Sequence, residues 1–141
     1  MRPDRIVVGE VRGSEAVDLL QCLNTGHDGS MSTGHSNSAL DMISRLETMV
    51  LMGMDLPIEA VRRQIASGID IFVHLGRLRD KSRKVLQIVE VLEYRDGEVK
   101  LNTLFEYEET GENEEGKVVG RLCKKAGITH KEKLMAAGID I

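Results

Sequence analysis

A chain of 141 residues, 41% of them hydrophobic, is sized for one globular domain that buries ~68% of its unfolded surface. Aromatics make up 3% and Trp is absent, so the core must come from Ile, Val, Leu and seven Met, which argues against a base-stacking platform for single-stranded nucleic acid. A formal net charge of -4 speaks against a general polyanion binder, and no stretch approaches the ~20 apolar residues of a membrane helix.

In chain order, Ile6-Val7-Val8 is a short apolar run bounded by charge and glycine, as expected of a strand buried on both faces of a parallel sheet, with Glu10 just past its carboxyl end. Ser14 is placed to cap a helix to about Asn24, with Ala16, Leu19, Leu20 and Leu23 on one face and Gly26 ending it. A second strand is expected near Ser30 to His35. A helix from about Ser38 to Met52 follows, burying Ala39, Met42, Ile43, Leu46, Met49 and Val50 while Asp41, Ser44, Arg45 and Thr48 face water. Pro57 is placed to start a third helix with Ile58, Val61 and Ile65 as its buried stripe and Gly68 as its end.

After Gly68 the period changes to two. Ile69, Ile71, Val73 and Leu75 alternate with Asp70, Phe72 and His74, and Val85 to Tyr94 and Val99 to Tyr107 read as two strands joined through Asp96-Gly97. The fold class is therefore α/β, with parallel strands and flanking helices followed by an antiparallel annex. Thr110 to Gly120 reads as a loop or mobile hairpin, and Lys131 to Ala137 as a final helix stopped by Gly138. The acidic run from Glu106 to Glu115, followed by Lys117, Arg121, Lys124, Lys125, Lys131 and Lys133, reads as solvated faces. Cys22 and Cys123 lie far apart and are expected as small buried thiols of a reduced protein.

Two stretches carry chemistry. Ligands of open parallel sheets gather beyond the carboxyl ends of strands, where an acid such as Glu10 can hold a magnesium-bound water or orient an attacking water. Arg12 and Glu15 follow, their bland reading being an exposed ion pair. In the second stretch, His27, Asp28 and His35 could be metal ligands in chemistry, yet their spacing fits no zinc pattern. Gly26 and Gly29 read instead as a helix-end turn, with the next strand carrying Thr33 and His35 toward the crevice of Glu10. An imidazole there can hydrogen-bond a terminal phosphate. No Gly-x-x-x-x-Gly-Lys-Ser/Thr phosphate loop occurs in the chain.

Arg2-Pro-Asp-Arg-Ile-Val-Val-Gly-Glu-Val-Arg-Gly-Ser-Glu15 resembles the Walker B region of the type II/IV secretion ATPases, and Thr25-Gly-His-Asp-Gly-Ser-Met-Ser-Thr-Gly-His35 resembles their histidine box. Arg45-Leu-Glu-Thr-Met-Val-Leu-Met52, Gln64-Ile-Ala-Ser-Gly-Ile-Asp-Ile71 and Arg77-Leu-Arg-Asp-Lys-Ser-Arg83 look similar to the CpaF-type ATPases of tight-adherence pilus assembly, and Lys131-Glu-Lys-Leu-Met-Ala-Ala-Gly-Ile139 to the ending of that family.

The resemblance implies the C-terminal part of a RecA-like P-loop NTPase domain over residues 1–109, with a loop and helical tail over 110–141. It implies a cytoplasmic hexamer on an inner-membrane pilus or secretion platform, ATP and magnesium as cofactors of the intact protein, and no nucleic-acid partner. By carry-over Glu10 is the Walker B acid, catalytic and near magnesium through water; Arg12 and Glu15 surround it. Thr33 and His35 sense the terminal phosphate, while His27 and Asp28 shape the turn. Arg77, Arg79 and Arg83 are weaker candidates for phosphate or neighbouring-subunit contacts. In that family the phosphate loop, an acidic box and an N-terminal domain precede the matched segment, and Met1 falls at a family Met that would serve as an internal start. Negligible turnover by this chain alone is expected, with an exposed sheet edge or apolar face. The alternative is a non-enzymatic module that binds a full-length subunit or a platform protein.

Overall fold

The computed structural model describes residues 3–27 and 29–141. Its packing divides into two compact units: one runs to Asp70 and includes Glu93–Lys100, and the other comprises Ile71–Leu92 and Leu101–Ile141. Expectations placed on Arg2 and Asp28 lie outside the described residues.

The first unit opens with strand β1 (Val7–Glu10), helix α1 (Ala16–Asn24), strand β2 (Met31–Thr33), and helices α2 (Ala39–Gly53) and α3 (Ile58–Gly68). β1 and β2 pair in parallel, with Val7 opposite Met31 and Glu10 opposite Thr33. The three helices pack on one another around Leu19, Leu20, Ile43, Leu46, Val50, Val61 and Ile65, all buried. All six residues expected inside α2 are buried, because its aliphatic stripe keeps helical spacing over fifteen residues and Ser38 Oγ caps it by accepting from Asp41 N at 3.0 Å.

Three local expectations are corrected here. β1 is not buried on both faces: Val7 is 70% exposed and its register partner Met31 61%. Ser14 does not cap α1, whose N-cap is Glu15, and the Glu15 carboxylate instead takes the Arg12 and Gly13 N–H groups. Ile58 sits on the first turn of α3 at the surface, leaving Val61 and Ile65 as that helix's buried residues.

The second sheet has the order β3 (Ile71–Arg77), β4 (Arg83–Arg95), β5 (Glu98–Glu112) and β6 (Val118–Lys124), with β3 antiparallel to β4 and β5 to β6. Asp96 and Gly97 make the β4–β5 turn at φ of 54° and 79°, the double positive-φ geometry that Asp-Gly favours. Of the two forms expected for Thr110 to Gly120, a loop or a hairpin, the hairpin is found: β5 continues to Glu112, a tight turn follows in which Asn113 Oδ1 accepts from Lys117 N at 2.8 Å, and β6 returns to Lys124. In β3 the series Ile71, Val73 and Leu75 faces outward at the sheet edge, while Phe72 and His74 are half-buried. Cys22 and Cys123 are free and half-buried rather than buried. The last helix, α4, is the five-residue Glu132–Ala136.

The buried polar side chain of the second unit is Glu90 on β4, 2% exposed. Its oxygens accept from Thr129 N at 2.9 Å, His130 N at 2.8 Å and Asn102 Nδ2 at 3.0 Å. Burial pushes the carboxyl up, but the donors of His130, Asn102 and Thr129 outweigh it and hold it below its ordinary value.

Candidate nucleotide site

Parallel pairing brings the carboxyl ends of β1 and β2 to the same side, so an acid ending one strand meets whatever follows the other. The ladder extends past the acid through Val11 N donating to Thr33 O at 2.9 Å, and Ser32 Oγ ties β2 back to Gly9 O at 2.8 Å. Two residues past Thr33, His35 reaches Glu10. Its Nε2 stands 2.6 Å from Glu10 Oε1.

Oε1 is buried and no well-directed hydrogen bond meets it, yet the imidazole nitrogen lies against it. Oε2 belongs to Arg12, which donates through Nε at 2.7 Å and through its terminal nitrogen. The side chains divide by exposure: Glu10 is 20% exposed, Arg12 74% and His35 83%. Glu10 is thus a partly buried carboxylate covered by two solvent-facing donors. The Arg12 hydrogen bond, against the cost of burial and helped by the Arg12 charge and the neighbouring His35 imidazole, holds the Glu10 carboxyl below its ordinary value.

Arg12 and Glu15, expected around Glu10 and in the bland reading paired with each other, have different tasks in the structure. Glu15 accepts from Arg12 N at 2.6 Å and Gly13 N at 3.1 Å, so its carboxylate shapes the turn before α1. Those N–H donors, Arg12 N first, hold the Glu15 carboxyl below its ordinary value. Thr33 is exposed beside Glu10, and His27 lies in the turn before β2, where its carbonyl accepts from Ser30 Oγ at 2.7 Å. The structure therefore brings Glu10, Arg12, Glu15, Thr33 and His35 together.

A cleft of about 790 Å³ opens beside Arg12 and His35 and is lined further by Asn37, Asp41, Arg45 and Met52. Gly34 lets the chain pass close to α2 at its edge: a Cβ there would come within 2.6 Å of the Met42 methyl. Sequence reading placed Asp41 and Arg45 only on the solvent face of α2; their i, i+4 spacing was the available signal that both project from one face. Arg77 and Arg83 face each other across the β3–β4 hairpin of the other unit. Arg79 there is engaged by Glu109 and Glu112, which accounts for it as a structural ion pair.

The donor set fits one role toward magnesium and no wider one. A carboxylate at a strand's carboxyl end that is still 20% exposed suits a metal-bound water. Among the described residues no group of three or more His, Cys, Asp or Glu could hold a metal ion by itself.

Residues 1–134 match the family model described as type II/IV secretion system protein. The chain is 42% identical over 105 residues to a putative conjugal transfer protein of Mycobacterium tuberculosis, covering 74% of this chain and 29% of that protein. It is 36% identical over 109 residues to conjugal transfer protein TrbB of Rhizobium radiobacter, covering 77% and 32%. The crystal structure of the VirB11 ATPase of the Brucella suis type IV secretion system aligns with a TM-score of 0.59 at 34% identity, over 62% of this chain and 28% of that one. The chain thus spans about a third or less of the length of these relatives. With the family model matched almost end to end, the chain belongs to the type II/IV secretion system protein family.

Proposed function

We propose that this chain carries the Walker B acid and histidine box of a secretion ATPase, and that it works in ATP-driven pilus assembly or protein export together with a phosphate loop. The observation that carries the reading is the 2.6 Å contact between Glu10 Oε1 and His35 Nε2, which joins two sequence motifs at the carboxyl ends of two parallel strands. In this reading Glu10 orients a magnesium-bound water, and His35 donates to the terminal phosphate and registers its loss. Magnesium supplies charge neutralisation on the phosphates; Arg12, Glu15 and Thr33 hold the acid and its turn in place.

The finer assignment is a CpaF-type subunit acting as a hexamer, cytoplasmic and held at the inner membrane through platform proteins. No helix among the described residues is long and apolar enough to cross a membrane. Residues 1–141 by themselves have negligible turnover in this reading, since phosphoryl transfer is nearly all positioning and electrostatics and they contain no Gly-x-x-x-x-Gly-Lys-Ser/Thr loop. The exposed Val7 and Met31, side by side on β1 and β2, favour a second reading, a non-enzymatic module that docks on a full-length subunit or platform protein.

Calorimetric titration with magnesium and a non-hydrolysable ATP analogue, beside Glu10→Ala, tests the proposal. Silence up to millimolar nucleotide is expected for the chain alone, and saturable binding once a polypeptide bearing the phosphate loop is added. Binding there that Glu10→Ala leaves untouched would remove Glu10 from the site, whereas magnesium-dependent hydrolysis by the chain alone would overturn the predicted inactivity.

A further inference from the structure

We propose that Arg12 is a displaceable counter-ion for Glu10: its guanidinium occupies Oε2 and must leave before that oxygen can take a cation-bound water. The inference rests on reading Glu10 as the acid on the magnesium side of a nucleotide site. It concerns a step that reading leaves open, namely what holds the carboxylate beforehand.

Arg12 donates to a single oxygen, with Nε at 2.7 Å and its terminal nitrogen also on Oε2, while Oε1 faces His35. Oε2 therefore takes both Arg12 nitrogens, whereas no directed hydrogen bond meets Oε1, so a cation-bound water reaches Oε2 only if the guanidinium yields. Arg12 holds Glu10 through a flexible side chain that is 74% exposed.

The backbone under Arg12 is fixed by a separate device. Arg12 N donates to Glu15 Oε1 at 2.6 Å, as does Gly13 N at 3.1 Å, so the guanidinium can depart while the turn stays formed. A place to go is at hand, because Arg12 lines the cleft that also holds the Asp41 carboxylate. An exposed ion pair is weak enough for a divalent cation to compete with it, so removing the guanidinium should strengthen cation binding severalfold rather than by orders of magnitude.

The experiment uses Mn²⁺ as the probe, read by paramagnetic broadening of the amide resonances of this chain. Broadening is expected around Val8–Val11 and Thr33–His35, with the dissociation constant falling about three- to tenfold in Arg12→Gln and staying within about twofold of the parent in Arg12→Lys, which keeps a cation in reach. Arg45→Gln, which removes the same charge from the same cleft without touching Glu10, should shift it less than twofold; an equal gain there would mean bulk charge and would overturn the proposal. If Glu10→Gln abolishes the broadening but Arg12→Gln leaves the affinity unchanged, Glu10 remains the cation-side acid and the counter-ion role is refuted. Broadening that survives Glu10→Gln refutes both.

Discussion

Replacing Glu90 by Leu should detach the segment from Gly127 to His130 from the sheet without unfolding the strands beneath it. The carboxylate is 2% exposed and is the shared acceptor for Thr129 N, His130 N and the Asn102 amide. Leu keeps the volume and removes every acceptor. A hydrogen bond to a charged group contributes about 1.5–3 kcal/mol, and a buried donor left unpaired costs about 1–3 kcal/mol. Thr129 and His130 are themselves exposed, so their N–H groups can rehydrate by lifting away, and the loss is capped near the cost of that release, about 2–3 kcal/mol. Amide hydrogen exchange at Thr129 and His130 should accelerate about thirty- to hundredfold, while Val89, Val91 and Leu104 keep their protection. Glu90→Gln retains one acceptor but turns an NH₂ group toward a backbone N–H, so it should show roughly half the effect. The same bracket should weaken in acid. The folded carboxyl lies below its ordinary value of 4.5, so its stabilisation is present above that pH and is lost as pH falls through the lower, folded value. Acceleration of less than about threefold in Glu90→Leu, or collapse of the whole sheet, would refute this account.

Other substitutions test the first unit and the hairpin loop. Leu46→Ala should cost about 2–5 kcal/mol in denaturant unfolding, because Leu46 is 2% exposed in the three-helix core. Val7→Ser should change stability by less than about 0.5 kcal/mol and reduce self-association in sedimentation, since Val7 is already exposed and flat apolar sheet surface invites pairing. Ser38→Ala should cost about 1 kcal/mol through loss of the α2 cap, with no gain in exchange protection elsewhere. Asp80 accepts from Ser82 Oγ and N and from Val118 N, and these bonds, the Ser82 hydroxyl first, hold its carboxyl down to about 2. Its contribution is therefore present above pH 3.8 and lost toward pH 2; in an acid titration Asp80→Asn should abolish the part of the unfolding transition in that window.

The helices and turns were legible in the sequence because their signals are local. The α2 stripe, the Pro57 start of α3 and the Asp96-Gly97 turn each depend on residues within a few positions of one another, and each element forms where its signal lies. Glu10, Thr33 and His35 were legible as motifs on two strand ends. Their meeting point follows from the parallel pairing of β1 with β2, which no periodicity within either strand encodes.

What only the tertiary structure decided concerns faces and partners. Period-two alternation separates Ile71, Val73 and Leu75 from Phe72 and His74 but cannot say which set is covered, and here the aliphatic set faces out. The same limit applies to Val7, whose apolar run looks buried until its neighbours are known. Glu90 reads in sequence as one acid within a strand; its burial depends on backbone donors 39 and 40 residues away. Arg12 could have joined Glu15 on spacing alone, but the turn commits the Glu15 carboxylate to backbone N–H groups and leaves the guanidinium to Glu10. Local chemistry fixes which elements form, because capping, turn geometry and helical spacing act within a turn or two. Which surface is covered and which acid meets which base depend on contacts between distant segments, and a one-dimensional pattern does not carry them.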